Sequence, residues 1–290
     1  MTWWHHFALS GVQTWLWLPP LAAFGISLVC SMVGVSGAFL LMPLQMSLFG
    51  FASPAASATN LVYNLVALPG AMLRFAREGR LMLSMALLIA AGCAPGVLAG
   101  AWLRTHHLAE RAAFEPFVAA VLAWVAWRLW LDVRHGGGPP AAGRVHDGVL
   151  DRRALRFDYG GQTHVQPILP LLGLSFLVGV VGTAYGIGGG ALIAPLLVAL
   201  YRLPIHAIAG ATLTATWITS ALGLGAYAVL PAPAQVATTP DWALGVAFGV
   251  GGLAGASLGA RLQRRMPGRA LKGLMAVIVT ALAAFYAWPG

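Results

Sequence analysis

Charge is what this chain has least of: of its 290 residues only 9% are Asp, Glu, Lys or Arg, and only 8 are acidic. An ordinary soluble domain carries about 25% charged residues. So few charges cannot hydrate the surface of a 30.3 kDa globule, and a soluble enzyme is excluded. Cysteine is nearly absent too. Cys30 and Cys93 both lie in apolar runs without CxxC spacing, which excludes a disulfide framework and a zinc site. No Asp, Glu or Lys falls within the core of an apolar run: Glu78, Glu110 and Glu115 are at ends, and Asp241 opens a helix. A carboxylate proton relay or a carboxylate-lined cation site is therefore unsupported, and neither a metal nor a cofactor is expected. The start, Met1 to His6, has no positive n-region, so no cleaved leader is expected. Trp3, Trp4, Trp15 and Trp17 read as an interfacial aromatic belt.

Hydrophobic residues, by contrast, make up 59% of the chain, and the mean hydropathy is +0.79. This composition belongs to an integral membrane protein. The net charge of +9 is spread over short loops and forms no stripe, so it reads as a positive cytoplasmic face and not as a nucleic-acid surface. A bilayer core about 30 Å thick takes about 20 apolar residues per helix. Pro54 to Leu73, Leu81 to Leu103, Ala112 to Leu131, Pro204 to Leu230, Trp242 to Ala260 and Ala270 to Trp288 meet that length. Trp17 to Phe49 and Ile168 to Tyr201 are too long for one crossing. Glycines interrupt each near its middle, at Gly34-Val35-Ser36-Gly37 and Gly186-Ile187-Gly188-Gly189-Gly190. Each run is expected to hold a helix and a shorter helix or re-entrant arm.

Shifting the chain by 152 residues superposes these two runs: Gly34 falls on Gly186, Gly37 on Gly189, Pro43 on Pro195 and Leu61 on Leu213. The ladder Gly92, Gly96, Gly100 likewise matches Gly251, Gly255, Gly259. If Arg74, Arg77 and Arg80 are cytoplasmic and each broken run returns on itself, then all of the 17 basic residues except Arg104 and Arg111 fall inside. The expectation is an all-α membrane protein of two inverted-topology repeats, about five membrane helices each, with a glycine-broken helix pair in each repeat. Residues 1–131 would form the first repeat, 132–166 a polar cytoplasmic linker beginning with Gly136-Gly137-Gly138-Pro139-Pro140, and 167–290 the second repeat. Both termini would be periplasmic. Secondary transporters that alternate between two access states have this architecture.

Exposed N–H groups where a half-helix begins hold an anion without side-chain charge. Ser36, Gly37 and Ala38 in one half, and Gly188, Gly189 and Gly190 in the other, are placed for that role. The helix after each break carries polar residues one turn apart, Asn60 and Asn64, then Thr212 and Thr216, each pair on one face. Amides and hydroxyls of this kind either donate to ligand oxygens or tie helices together. Tyr63, Tyr185 and Trp217 are candidates for lining, and His206 lies near a helix start beside Arg202. The ten break and polar residues are the candidate binding residues for a small anion. The bilayer is the other expected partner, no nucleic acid is expected, and whether a homodimer forms is left open.

The two breaks followed by proline, Gly34 to Pro43 and Gly186 to Pro195, each with a small-residue helix after it, resemble the sulfite exporter TauE/SafE family from about Leu18 to Trp288. The second break carries the family's GxGGG pattern; in the first, Ser36 and Ala38 replace glycines. The resemblance implies a bacterial inner-membrane permease that moves sulfite or related sulfur anions such as sulfonates, usually outward. Permeation of another small anion is the neighbouring reading. Gly34-Val35-Ser36-Gly37 is also a GxSG string like that of intramembrane serine proteases. A nucleophilic Ser36 would need a histidine base in reach, and the position matching Ser36 in the second half is Gly188, so no enzyme is expected. A non-transporting assembly factor would need only the packing glycines.

Overall fold

A computed structural model describes residues 4–134 and 145–287, in which there are ten α-helices and five short strands. Both long runs are broken. The first splits into α1 (Leu18–Met32) and α2 (Ala38–Leu48), the second into α6 (Ile168–Tyr185) and α7 (Ile193–Tyr201). Between them lie α3 (Pro54–Arg77), α4 (Leu83–His106) and α5 (Arg111–Arg134), and after them α8 (Ile205–Val229), α9 (Trp242–Gln263) and α10 (Gly268–Ala287). Six of the described helices, α4, α5, α6, α8, α9 and α10, are long and apolar enough to cross a membrane. The chain is an all-α membrane protein in its spanning part. With 24 residues α3 is long enough as well, but Asn60, Asn64, Arg74 and Arg77 make it less apolar.

The breaks have a backbone cause. Gly34 and Gly186, which match in the two runs, adopt left-handed φ angles of 72° and 83°, a region where a Cβ is strained, and each ends its helix within two residues. Proline starts several of the other helices at positions that need no N–H, Pro54 in α3 among them.

The helices pack in a row, α1 on α9, α9 on α3, α3 on α8, α8 on α4 and α4 on α6, while α5 and α10 pair beside the row and contact α7 and α2. Exchanging α1 with α6, α2 with α7, α3 with α8, α4 with α9 and α5 with α10 maps this contact pattern onto itself. The glycine ladders sit at its two outer seams. A Cβ on Gly92 would lie 2.7 Å from Ser175 Cβ of α6, and one on Gly179 of α6 would lie 2.5 Å from Cys93 O of α4. Gly251, Gly255 and Gly259 meet the carbonyls of Pro20, Phe24 and Leu28 in α1 in the same way. Small residues let helix backbones approach this closely.

Two features differ from the sequence expectation. The segment expected to be a plain linker carries a three-stranded antiparallel sheet, β3 (His146–Leu150), β4 (Ala154–Tyr159) and β5 (Gln162–Pro167), in that order. Its alternation buries Leu155, Phe157 and Tyr159 and leaves Arg156 and Asp158 exposed. A hairpin of β1 (Trp4–His6) and β2 (Gln13–Trp15) precedes α1. There Trp4 meets Trp15 edge-on at 5.7 Å and Trp15 stacks on Trp17. Met1, Trp3, Gly136 to Pro140, Arg144 and Trp288 lie outside the described residues.

The array has two chemically distinct ends. At one, Arg80 donates to Glu78 at 3.0 Å, to His206 O at 3.3 Å and to Gln263 Oε1, while Val145 N donates to Gly79 O, joining the sheet to the α3–α4 turn. Burial pushes the Arg80 guanidinium below its usual pKa, and the Glu78 carboxylate works against that shift. At the other end, Asp241 caps α9 by accepting from Leu244 N at 3.0 Å, and its second oxygen accepts from the hydroxyl and N–H of Ser10 in the hairpin.

Candidate functional site

The two breaks come together at α3 and α8, in the middle of the row. Ser36 Oγ, fixed by accepting from Ala38 N at 3.1 Å, donates to Asn64 Oδ1. The amide nitrogen of Asn64 donates across to the second break, to Ile187 O at 2.9 Å, and to Ser220 Oγ of α8 at 2.9 Å. One side chain of the first half thus bridges both interruptions. Thr212 makes the reciprocal link: its hydroxyl, on α8, donates to Gly34 O of the first break at 3.0 Å.

The other expected residues divide. Thr216 packs against the second break, where a Cβ on Gly190 would lie 2.6 Å from Thr216 N, but its hydroxyl is taken up by Thr212 O in its own helix. Asn60 is drawn away from the centre: its Oδ1 accepts from Gln45 of α2 at 2.6 Å, and its nitrogen approaches Met42 Sδ. Gly37 is the residue immediately before α2, with Ala38 as its first helical residue, and Tyr63 Oη and Ser27 Oγ, 2.6 Å apart, crowd against it. Gly188, Gly189 and Gly190 do not open α7, which starts only at Ile193. They form the turn before it, and Gly190 N donates to Thr219 Oγ1 at 3.2 Å. Of the lining candidates, Tyr185 bonds Phe39 O and Trp217 bonds Leu65 O. His206 Nε2 pairs with Met266 O at 3.0 Å, and the partners of Ser36 Oγ are Asn64 and Ala38.

Ser220 and Thr219 touch the second break and Gln45 captures Asn60, contacts that sequence reasoning missed. Ser220 had a signal, since it continues the series Thr212, Thr216 by one more step of four on α8. Ser36, Asn60, Asn64, Thr212, Thr216, Thr219 and Ser220 are all fully buried, so the site is closed from both ends. It contains hydroxyls, amides and backbone dipoles and no carboxylate, and no group of three potential metal ligands occurs among the described residues. Donors without formal charge, at the junction of two interrupted helices, suit a compact anion better than a cation.

Comparison with known proteins agrees with the fold class. The family model described as sulfite exporter TauE/SafE matches residues 20–286. A curated relative from Bacillus subtilis (strain 168), "Probable membrane transporter protein YunE", is 21% identical over 262 residues, covering 87% of this chain and 89% of its own length. No solved structure matches the chain.

Proposed function

The chain belongs to the sulfite exporter TauE/SafE family of membrane transporters, and on that premise we propose that it is a permease for sulfite or a small organosulfonate, working outward across a bacterial inner membrane by alternating access. The observation that carries the reading is the contact of both helix breaks with one uncharged amide, Asn64, in a fully buried centre. Such a centre binds an oxyanion by exchanging protein–protein hydrogen bonds for protein–anion ones. Ser36 Oγ, the Asn64 amide, Ser220 Oγ and the N–H groups at the start of α2 supply the donors. On this reading the two repeats have inverted topology, the Arg80 end and the sheet face the cytoplasm, and the Asp241 end faces the periplasm.

The test is anion flux in proteoliposomes, comparing sulfite, sulfate, thiosulfate and a small sulfonate with and without an imposed pH gradient. Saturable flux of a sulfur anion is expected, and the effect of the gradient reports the coupling. Absence of flux for all four, from protein with a sharp unfolding transition, overturns the cargo assignment.

A further inference from the structure

Arg104, in the last turn of α4, is fully buried at 0% exposure. Its Nε donates to Ser57 Oγ at 3.2 Å and its Nη2 to Ala52 O at 2.6 Å. The guanidinium lies 4.0 Å over the Phe114 ring, and Nη1 is buried with no hydrogen-bond partner. Two neutral acceptors and a ring face do not neutralise a cation. Among the described residues the ion pairs are Arg74 with Glu78, Arg80 with Glu78, and Arg111 with Glu115, so the acid next to Phe114 is already engaged. A cation taken out of water without a counter-charge is strongly unfavourable unless an anion joins it, and a buried, unpaired arginine at the end of a spanning helix is a candidate for an ion path.

Its surroundings say where such an anion would come from and go. A cavity of about 530 Å³ is lined by Ser53, Thr105, His106, His107, Glu110 and Ala113 among others. Ser53, Thr105 and Ala113 are the chain neighbours of Ala52, Arg104 and Phe114, the very groups in the guanidinium's contacts. On the opposite side, Ser57, which accepts from Arg104, packs on the second break: a Cβ on Gly186 would lie 2.5 Å from Ser57 Cα. Arg104 itself does not line the cavity, but its contacts reach the chain neighbours of cavity-lining residues on one side and, through Ser57, the second break on the other.

We infer that Arg104 is an anion-binding station on the path from the helix breaks to the Asp241 end of the molecule, with Nη1 as its unpaired donor. The inference takes its direction of travel from the proposed permease function, but it concerns binding of a small inorganic anion or oxyanion whatever the physiological cargo.

The test is thermal stabilisation of the purified full-length protein by sulfite, sulfate, thiosulfate, methanesulfonate and chloride at constant ionic strength, in the wild type, Arg104→Gln and Arg104→Lys. Ligands that bind only the folded state raise its apparent stability with concentration. At least one anion is expected to stabilise the wild type. Its half-saturating concentration should rise at least about tenfold in Arg104→Gln, as for loss of a charge-assisted hydrogen bond. Arg104→Lys should fall between the two, since it keeps the charge but not the planar fork. An unchanged half-saturating concentration in Arg104→Gln, or a wild type stabilised by none of the anions, overturns the inference. Stabilisation by chloride alone, lost in Arg104→Gln, upholds the station and removes the sulfur cargo. Sulfite flux with an unaltered anion response in Arg104→Gln does the reverse. Should Arg104→Gln fail to fold, Ala113→Glu decides: it leaves the Arg104 side chain in place and adds a second carboxylate, besides Glu110, at the cavity wall. Anion stabilisation is expected to disappear, and a wild-type response in that variant overturns the station.

Discussion

Asn64 spends its whole amide on joining the two breaks, giving its oxygen to Ser36 and its nitrogen to Ile187 O and Ser220. Asn64→Asp keeps the shape but replaces the donating nitrogen with an acceptor, which faces the Ile187 carbonyl and repels an anion. The expected result is a loss of about 1–3 kcal/mol in stability, the cost of leaving buried partners unpaired, together with at least about tenfold slower sulfite efflux. Thr216→Val is the control, because that hydroxyl only returns to its own helix; efflux from it should stay within about twofold of the wild type. Efflux from Asn64→Asp at the wild-type rate would remove Asn64 from the site. This residue was legible in the sequence because an amide inside an apolar helix, beside a break, needs a partner. Its partners were less so. Ile187 is 123 residues away along the chain, and no local pattern carries that contact. Asn60 has the same chemistry and spacing, yet Gln45 captures it. Arg104 was visible only as a marker of sidedness, since nothing in its neighbours announces that Ser57, Ala52 and Phe114 will enclose it.

At the scale of elements, hydropathy made the helices legible and concealed the strands. A helix that spans a bilayer needs a long apolar run, so the ends of the observed helices fall within a few residues of the apolar runs. The sheet in residues 146–167 leaves a weaker trace: Leu155, Phe157 and Tyr159 alternate with Arg156 and Asp158, and Gly160 and Gly161, both at positive φ, make the two-residue turn. Polar composition masked that alternation and made the segment read as linker. The sheet also carries a pH dependence. His164 of β5 stacks on Phe157 with ring centroids 5.1 Å apart, and its buried Nε2 has no partner. Burial lowers its pKa below the usual histidine value, with Asp158 opposing the shift in part. The folded sheet thus favours neutral imidazole, while the unfolded segment takes up a proton near pH 6.5. Stability is full above that pH and declines as pH falls through it toward the lower folded value. The measurement is limited proteolysis of this segment at pH 7.5 and 5.5 in the wild type and His164→Gln, read as the ratio of the two at each pH so that protease activity cancels. The wild type should be cut relatively faster at pH 5.5; an equal ratio at both values would rule out His164 as the source.

For the whole molecule, the row α1, α9, α3, α8, α4, α6 alternates elements of the two sequence halves at every seam. The ladder of α4 packs on α6 and that of α9 packs on α1, so both glycine ladders seal seams between the two halves. Two consequences follow for motion and folding. The first five helices cannot rock as one body against the last five without separating seams in which a Cβ on Gly179 would already lie 2.5 Å from a neighbouring carbonyl. Nor does either half possess a closed packing surface: without α6, helix α4 presents Gly92, Gly96 and Gly100 to lipid, and the polar groups of Asn64 lose Ile187 and Ser220. In a bilayer, where apolar association gains little, unsatisfied polar groups and open small-residue faces leave a fragment without a defined fold. A chain severed between residues 134 and 145 tests this directly. Each fragment expressed alone should be degraded or elute as a broad aggregate after detergent extraction. The two co-expressed should co-elute as a single sharp species that transports sulfite when the intact protein does. A monodisperse, stable fragment on its own would show that the halves are independent bodies and that the interleaved seams do not hold the fold together.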